Sequence, residues 1–358
     1  MTQVAFYAPM KSPDHPVASG DRTMGRALIA ALTAGGMQVD LASDFATRDG
    51  RGDPRFQRQK ITEARPEIDR ATHVGRAAGW QVWVTYHNYY KAPDLIGPAV
   101  ARALGIPYLQ IESTRARKRL AGPWAVFAEE AEAATDAARV VFHLTARDAE
   151  ALNTHRPVGQ DVVHLRPFLP RETLPDQTTG GCRMLSVGML RPGDKLASYA
   201  LIAQTLGLLR APDWTLDIVG DGTARAEIAA LMAPFGDRVR LLGARDPAAM
   251  PDVYSTAGLF LWPGVNEAFG MAYLEAQAAG LAVAAQDRPG VRDVLMPGTA
   301  YPDPGAGAQG LATRLDLLLA LPKLTRQLGQ DARRYVADHH LIDSARDTLC
   351  KTIKEVIA

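Results

Sequence analysis

The chain has 358 residues, of which 47% are hydrophobic and 22% charged, and its formal net charge is +1. This length favours two domains over one core, and a charge near zero gives no general attraction to nucleic acid. Cys182 and Cys350 have no motif spacing, which argues against a disulfide framework. The first residues lack a signal-peptide pattern, and no apolar run approaches the ~18 residues of a spanning helix. We therefore expect a cytoplasmic protein.

Short apolar runs alternate with helical patterns along the chain, which is typical of parallel β-α-β units. Gly20 is expected in a loop, followed by a helix over 24–34 that Gly35 and Gly36 close. The predicted strands of the first half are 4–8, 39–42, 82–85, 108–111 and 140–142. Residues 1–166 are therefore predicted to form a Rossmann-like domain.

Residues 166–181 interrupt this pattern, because they contain three prolines and little apolar periodicity. We interpret 167–181 as a linker and 182–340 as a second Rossmann-like domain. Its predicted strands are 184–187, 215–219, 239–242, 259–262 and 283–284. The last segment, 341–358, is amphipathic and could pack back on the first domain. The fold prediction is two doubly wound α/β domains facing across a cleft, with ligands beyond the carboxyl ends of the strands.

The segment 262–280 carries most of the functional information. It reads as a strand end, a loop and a helix that begins near Gly270 and ends before Gly280. Backbone N–H groups at such a helix start suit a diphosphate. Glu267 precedes the helix and Glu275 lies about one turn inside it. Eight residues span at most ~12 Å at the helical rise, which matches the distance from a sugar, across a diphosphate, to a ribose.

This pattern resembles the signature of the retaining glycosyltransferases of GT-B architecture, the group 1 or family 4-like glycosyl transferases. Further segments that fit the resemblance are 214–222, 239–243, 257–263 and 290–294. The resemblance implies that Glu275 binds ribose and Glu267 the donor sugar, with 268–272 (Ala268, Phe269, Gly270, Met271 and Ala272) also at the donor. It implies hexosyl transfer with retention by a bacterial enzyme that needs no cofactor. The chain has no Asp-x-Asp metal motif, which argues against the metal-dependent class of glycosyltransferase. UDP, GDP and ADP remain equal alternatives for the donor nucleotide.

A second donor segment follows the first strand of the second domain. Gly188 would let a diphosphate approach, and Lys195, with Arg191, would stabilise the leaving group. The family usually has arginine where Met189 stands, and Arg191 could supply that charge. Lys195 is the better supported of the two, because no other lysine lies between Lys118 and Lys323.

The first domain resembles the family less closely. Gly20 stands where the family has a glycine pair near the donor phosphate, although a plain helix-capping loop is equally expected there. His87 resembles a family histidine at a strand end, and we assign it a catalytic role beside Lys195 and Glu267. Glu112 stands near the place of the better-known catalytic histidine. The acceptor-side candidates are Tyr86, His87, Tyr89, Tyr90 and Glu112.

Two basic clusters, within 48–65 and 115–119, are candidates for other contacts. The second, Arg115–Arg119 with Trp124, joins positive charge to an aromatic ring, as in proteins that rest on anionic lipid at the inner face of a membrane. A basic patch could equally hold a phosphorylated acceptor or be a solvated surface. The acceptor itself could be a glycan, a lipid or a small molecule.

The sequence therefore predicts a metal-independent, retaining glycosyltransferase. One alternative is a catalytically silent scaffold that binds nucleotide-sugars, and another is a related GT-B epimerase or phosphorylase. A dinucleotide-dependent oxidoreductase fits poorly, because Arg225 replaces the third glycine of the fingerprint after Gly220 and Gly222.

Overall fold

The computed structural model describes residues 1–17 and 19–358, so Ala18, two residues before Gly20, lies outside the described residues. The chain divides into two compact units. The first, called the N-terminal domain here, comprises Met1–Arg166 and Ile342–Ala358. The second, called the C-terminal domain, comprises Pro167–Leu341. Each is built on its own parallel sheet, so the predicted pair of Rossmann-like α/β domains is confirmed.

The N-terminal domain has a parallel sheet with the strand order β2-β1-β3-β4-β5-β6. Its strands are β1 Gln3–Tyr7, β2 Gln38–Ser43, β3 Val82–Tyr86, β4 Tyr108–Ile111, β5 Val140–His143 and β6 Asp161–His164. Its helices are α1 Gly20–Ala34, α2 Pro54–Ala78, α3 Gly97–Leu104, α4 Ala125–Ala137 and α5 Ala146–Thr154. Strands β3 and β4 are buried along their whole length, as expected for central strands covered on both faces.

The C-terminal domain has a parallel sheet with the strand order β11-β10-β7-β8-β9. Its strands are β7 Arg183–Val187, β8 Thr215–Val219, β9 Val239–Gly243, β10 Leu259–Leu261 and β11 Ala282–Ala284. Its helices are α6 Asp194–Gly207, α7 Arg225–Met232, α8 Met250–Ser255, α9 Met271–Ala278, α10 Gly307–Ala320 and α11 Pro322–His339. One hydrophobic core spans the domain, with Trp262 and Tyr273 among its largest buried side chains.

The last helix, α12 Ile342–Ile357, belongs to the N-terminal domain, where it packs on α1. The contact is close, because a Cβ atom on Gly35 would lie 2.1 Å from Cys350 Sγ. Residues 167–181, interpreted from the sequence as a linker, contain no helix or strand and are held on the C-terminal domain. Leu169 N donates to His340 O (2.8 Å), and Thr178 N donates to Ala279 O (2.8 Å).

Two local predictions are wrong. Gly20 is the first residue of α1, not part of a loop, because Ser19 caps the helix and its Oγ accepts from Arg22 N at 3.3 Å. The first turn of α1 is polar, and the apolar pattern that predicts a helix begins only at Met24, so the sequence placed the start of the helix too late. Strand β6 was not predicted, because its two valines are half-buried and its ends are exposed, so it lacks a buried run.

Among the described residues, no helix combines the length and the apolar character needed to cross a membrane.

Candidate functional site

Each sheet reverses its strand order at one place, and the main candidate residues lie at these places. In the N-terminal domain the reversal is between β1 and β3, and in the C-terminal domain it is between β7 and β10. Doubly wound sheets bind ligands in the crevice outside the carboxyl ends of such strand pairs. His87 directly follows β3, while Lys195 and Glu267 follow β7 and β10.

In the C-terminal domain the structure brings Lys195 and Glu267 together. Lys195 Nζ forms an ion pair with Glu267 Oε1, and Trp262 Nε1 donates to the same oxygen at 3.0 Å. The ammonium also lies 5.0 Å from the Trp262 ring centroid. The two charged side chains are only 16% and 14% exposed, so this pair is fixed and partly shielded from water.

The loop that carries Glu267 is fastened to the start of helix α6. Val265 N donates to Ser198 Oγ at 3.2 Å, and Asn266 Nδ2 donates to Asp194 Oδ1 at 2.9 Å. Asn266 has a left-handed backbone (φ 50°), which asparagine tolerates better than most side chains. The loop therefore holds Glu267 over the helix that presents Lys195.

Helix α9 begins with donors that no side chain caps. Its N-cap is Gly270, with φ 81° and no side-chain capping bond. Phe269, Met271 and Ala272 are half-buried and pack against the domain core, while Ala268 is exposed. The start of α9 thus offers backbone N–H groups and the positive end of the helix dipole to an anion.

Glu275 lies inside α9 and is held by a tyrosine. Tyr254 Oη donates to Glu275 Oε2 at 2.7 Å. Burial raises the pKa of the Glu275 carboxyl, while the bond from Tyr254 and the positive charge of Arg171 oppose this. A carboxylate of this kind can accept a hydrogen bond from a sugar hydroxyl.

Gly188 lies on a tightly packed turn after β7. A Cβ atom there would lie 3.0 Å from the Trp262 ring, and one on Gly220 would lie 1.9 Å from Gly188 O. Beyond it, Met189 is 55% exposed and Arg191 is exposed. Within the described part of the chain, the exposed Arg191 side chain forms no ion pair. Its guanidinium could therefore contact a ligand.

In the N-terminal domain His87 pairs with Asp21. His87 Nδ1 lies 2.8 Å from Asp21 Oδ1. Burial lowers the pKa of the imidazole, but the hydrogen bond to Asp21 and the negative charges of Glu112 and Asp21 outweigh it and raise the pKa above its usual value of 6.5. The same bond lowers the pKa of Asp21 against the effect of its own burial. The pair therefore favours an imidazolium beside a carboxylate.

Glu112 extends this cluster from the next strand. Burial raises the pKa of its carboxyl, while the charge of His87 and the hydrogen bond from Tyr86 oppose that rise. Its Oε2 is buried and has no hydrogen-bond partner within residues 1–17 and 19–358. Such an oxygen is available to accept a hydrogen bond from a ligand.

Aromatic rings line the loop after His87. The Tyr89 ring packs at a tilt against the imidazole with ring centroids 4.7 Å apart, and Tyr90 packs edge-on against Trp124 at 5.8 Å. Gly20 lies in the exposed first turn of α1, where a Cβ atom would meet nothing within 4 Å. No close packing therefore requires glycine at position 20.

The prediction that Arg115 belongs to an exposed basic cluster with Arg119 is wrong. Arg115 is not available to a surface, because its side chain is 1% exposed and bonds Glu132 and Asp136 at 2.6 Å each. Arg117 and Lys118 remain exposed, and the Arg119 guanidinium lies 5.3 Å from the Trp124 ring centroid.

The sequence did not reveal the partners that position these residues. Asp21 holds His87 across 66 residues of chain, and Tyr254 holds Glu275 across 21. The sequence placed Asp21 only beside Gly20 in the expected first loop, whereas the structure places it in the first turn of α1. No sequence pattern indicated Tyr254, since it lies on a different helix from its partner.

The whole chain resembles solved structures with two Rossmann-like domains. Sucrose-phosphate synthase from Thermosynechococcus elongatus matches with a TM-score of 0.72 and 19% identity, covering 99% of both chains. HepE of Anabaena, crystallised with UDP and glucose, matches with a TM-score of 0.72 and 14% identity over 99% of this chain and 100% of its own. These likenesses define the class of the fold, which is GT-B.

Residues 183–335 match the family model described as glycosyl transferases group 1. The matched residues lie within the C-terminal domain. It is 29% identical over 128 residues to the D-inositol 3-phosphate glycosyltransferase of Gordonia bronchialis and 30% identical over 150 residues to the GDP-mannose-dependent alpha-mannosyltransferase of Mycolicibacterium smegmatis. These matches cover 35% and 42% of this chain, and they span only 28% and 35% of the relatives.

Proposed function

We propose that the protein is a glycosyltransferase that transfers a sugar from a nucleotide-sugar, bound by the C-terminal domain, to an acceptor bound by the N-terminal domain. The observation that carries the proposal is the Lys195–Glu267–Trp262 cluster beside the uncapped start of α9. This combination offers a carboxylate to sugar hydroxyls and a cation with backbone donors to a diphosphate.

In the proposed reaction an acceptor oxygen forms a bond to the anomeric carbon while the bond from that carbon to the diphosphate breaks. The electron pair of the broken bond leaves with the diphosphate, whose departing oxygen takes the proton of the acceptor hydroxyl. The N–H groups at the start of α9, together with Lys195 and Arg191, stabilise that charge without a metal. Glu267 orients the sugar and Glu275 the ribose. Transfer with retention of anomeric configuration is part of the proposal and is supported by the family match.

The acceptor side is proposed to use the His87 cluster. His87 and Glu112 offer a donor and an acceptor of hydrogen bonds, and the rings of Tyr86, Tyr89 and Tyr90 suit the faces of a sugar. The relatives do not fix the donor base, because one solved structure holds UDP and one relative depends on GDP-mannose.

A thermal-shift screen with UDP-, GDP- and ADP-sugars tests the donor site. A ligand at 100 times its dissociation constant should stabilise the protein by ~2.7 kcal/mol. We expect one nucleotide class to raise the midpoint and Glu275→Ala to abolish that rise. Glu227→Ala, an exposed carboxylate on α7, serves as the matched control and should leave it unchanged.

The reaction product separates this proposal from its rivals. A glycosyltransferase forms a glycoside and releases nucleoside diphosphate, and slow hydrolysis of the donor without acceptor would support it. A silent scaffold would bind the donor without turnover. An epimerase would release the changed sugar, so either result would count against the proposal.

Peripheral contact with an anionic membrane is proposed as a secondary property. Arg117 and Lys118 are exposed beside the packed group of Tyr90, Lys91, Arg119 and Trp124. Binding to vesicles with 20% phosphatidylserine, but not to pure phosphatidylcholine, is expected and should weaken in Arg117→Gln/Lys118→Gln. Equal binding to both vesicles, or none, would contradict it.

A further inference from the structure

Lys195 and Glu267 neutralise each other beside the start of α9. Lys195 Nζ pairs with Glu267 Oε1, and a Cβ atom on Gly270, the N-cap of α9, would lie 3.9 Å from Glu267 Cγ. Within the described part of the chain, Lys195 is the only cation that forms an ion pair with Glu267. The carboxylate therefore depends on a single positive charge.

The other groups around Glu267 do not replace this cation. Trp262 Nε1 donates to the same carboxylate oxygen at 3.0 Å, but an indole N–H carries no charge. Burial raises the pKa of the Tyr199 and Tyr273 hydroxyls, and the negative charge of Glu267 adds to both rises. Without Lys195, Glu267 would be a partly shielded carboxylate with only neutral neighbours, which is a costly state.

The diphosphate of a donor competes with Glu267 for Lys195. Any phosphate that Lys195 binds also lies close to the Glu267 carboxylate, because the two side chains are in contact. A nucleotide-sugar presents sugar hydroxyls there, which can donate hydrogen bonds to the carboxylate. A free nucleoside diphosphate instead ends in a phosphate that carries roughly −1.5 to −2 charges at neutral pH, so it brings a second anion to the same cation.

We propose that Glu267 disfavours the nucleoside diphosphate product relative to the nucleotide-sugar, because it competes with the diphosphate for Lys195. Sugar hydroxyls compensate the carboxylate in the substrate complex, and an unpaired charge opposes the product complex. The side chain that orients the donor sugar thereby also promotes product release. The proposal rests on the proposed function, because it deepens the role of the same site.

Isothermal titration of the full chain at pH 7.5 with three matched pairs of ligands tests the proposal: UDP and UDP-glucose, GDP and GDP-mannose, and ADP and ADP-glucose. For the pair that binds, Glu267→Gln should tighten binding of the nucleoside diphosphate at least about threefold, because the amide leaves Lys195 to the diphosphate. It should not tighten binding of the nucleotide-sugar. A damaged site does not gain affinity, so misfolding cannot produce this result.

Two further variants separate charge from shape. Glu267→Asp keeps the negative charge and should show a smaller gain than Glu267→Gln. Glu227→Gln changes an exposed carboxylate of α7 in the same way and should alter neither ligand's affinity. Should Glu267→Gln fail to fold, Glu267→Ala removes the same charge, and the same gain is expected of it.

Unchanged or weaker binding of the nucleoside diphosphate in Glu267→Gln would overturn the proposal, since Lys195 would then serve both anions without competition. An equal gain for both ligands, or an equal gain in Glu267→Asp, would also overturn it. The proposed function fails separately, if none of the three nucleotide-sugars binds the unmodified protein, and the inference then fails with it.

Discussion

His87 and Glu112 have left-handed backbone conformations, with φ 65° and 56°, immediately after strands β3 and β4. Each keeps a sheet-like hydrogen bond, from His87 N to Ile111 O and from Glu112 N to Phe142 O, both at 2.9 Å. Such conformations cost non-glycine residues ~1–3 kcal/mol and cluster at functional sites. These two strained residues carry the imidazole that bonds Asp21 and the buried Glu112 Oε2, which has no hydrogen-bond partner in the described part of the chain.

Asp21→Asn should lower the pKa of His87, because it removes the carboxylate that favours the imidazolium. His87 contributes stability that is fully present below its unfolded value of 6.5 and is lost as pH rises through its higher folded value. The variant should therefore lose stability mainly at low pH. NMR titration of the imidazole and urea unfolding at pH 5.5 and 8.5 measure both effects.

Asp69→Asn, on the exposed face of α2, is the control for that comparison. An unchanged His87 titration in Asp21→Asn would show that Asp21 does not set its protonation.

The Lys195–Glu267 pair should be energetically coupled. Lys195→Met leaves a partly shielded carboxylate without its cation, and we expect a loss of about 1–3 kcal/mol, less than for a fully buried pair because water still reaches it. Lys195→Met/Glu267→Gln should lose less than the sum of the single variants, by about 0.5–3 kcal/mol. Urea unfolding measures all three, with Lys323→Met as the exposed control. Strict additivity would contradict the coupling.

At the scale of elements, the strand–loop–helix units around Gly188 and Glu267 could be predicted, because apolar runs and glycines mark them in the sequence. The predicted strands of both domains agree with the structure to within a few residues. The Gly20 helix start and strand β6 could not be predicted, because polar side chains form that helix turn and that edge. The Asp21–His87 contact also depends on the order of strands, which no local pattern contains.

The turn after β7, which contains Gly188, packs closely against the turn after β8, which contains Gly220. A Cβ atom on Gly220 (φ 146°) would lie 1.9 Å from Gly188 O, which is backbone and cannot rotate away. Gly220→Ala should therefore destabilise the protein by about 1–3 kcal/mol and weaken donor binding by displacing the β7–α6 turn. Gly207→Ala, where a Cβ atom meets nothing within 4 Å, is the control. Thermal unfolding and donor titration distinguish the two variants.

At the scale of the whole molecule, α12 completes the N-terminal domain from the far end of the chain. Leu349 is fully buried, while Lys351 on the same helix is exposed. Leu349→Ala should cost about 2–5 kcal/mol and reduce hydrogen-exchange protection of α1 while sparing β8. Lys351→Ala should change neither. Uniform loss of protection across both domains would contradict a local effect of α12.

The position of α12 in the sequence also constrains the order in which the domains can mature during synthesis. The ribosome makes residues 1–166 first, yet the helix that covers α1 is made only after residues 167–341. At roughly 5–20 residues per second, those intervening residues take about 10–35 s. During that interval the apolar surface of α1 around Gly35 is uncovered, so nascent chains stalled before residue 342 should be the form that chaperones and proteases recognise.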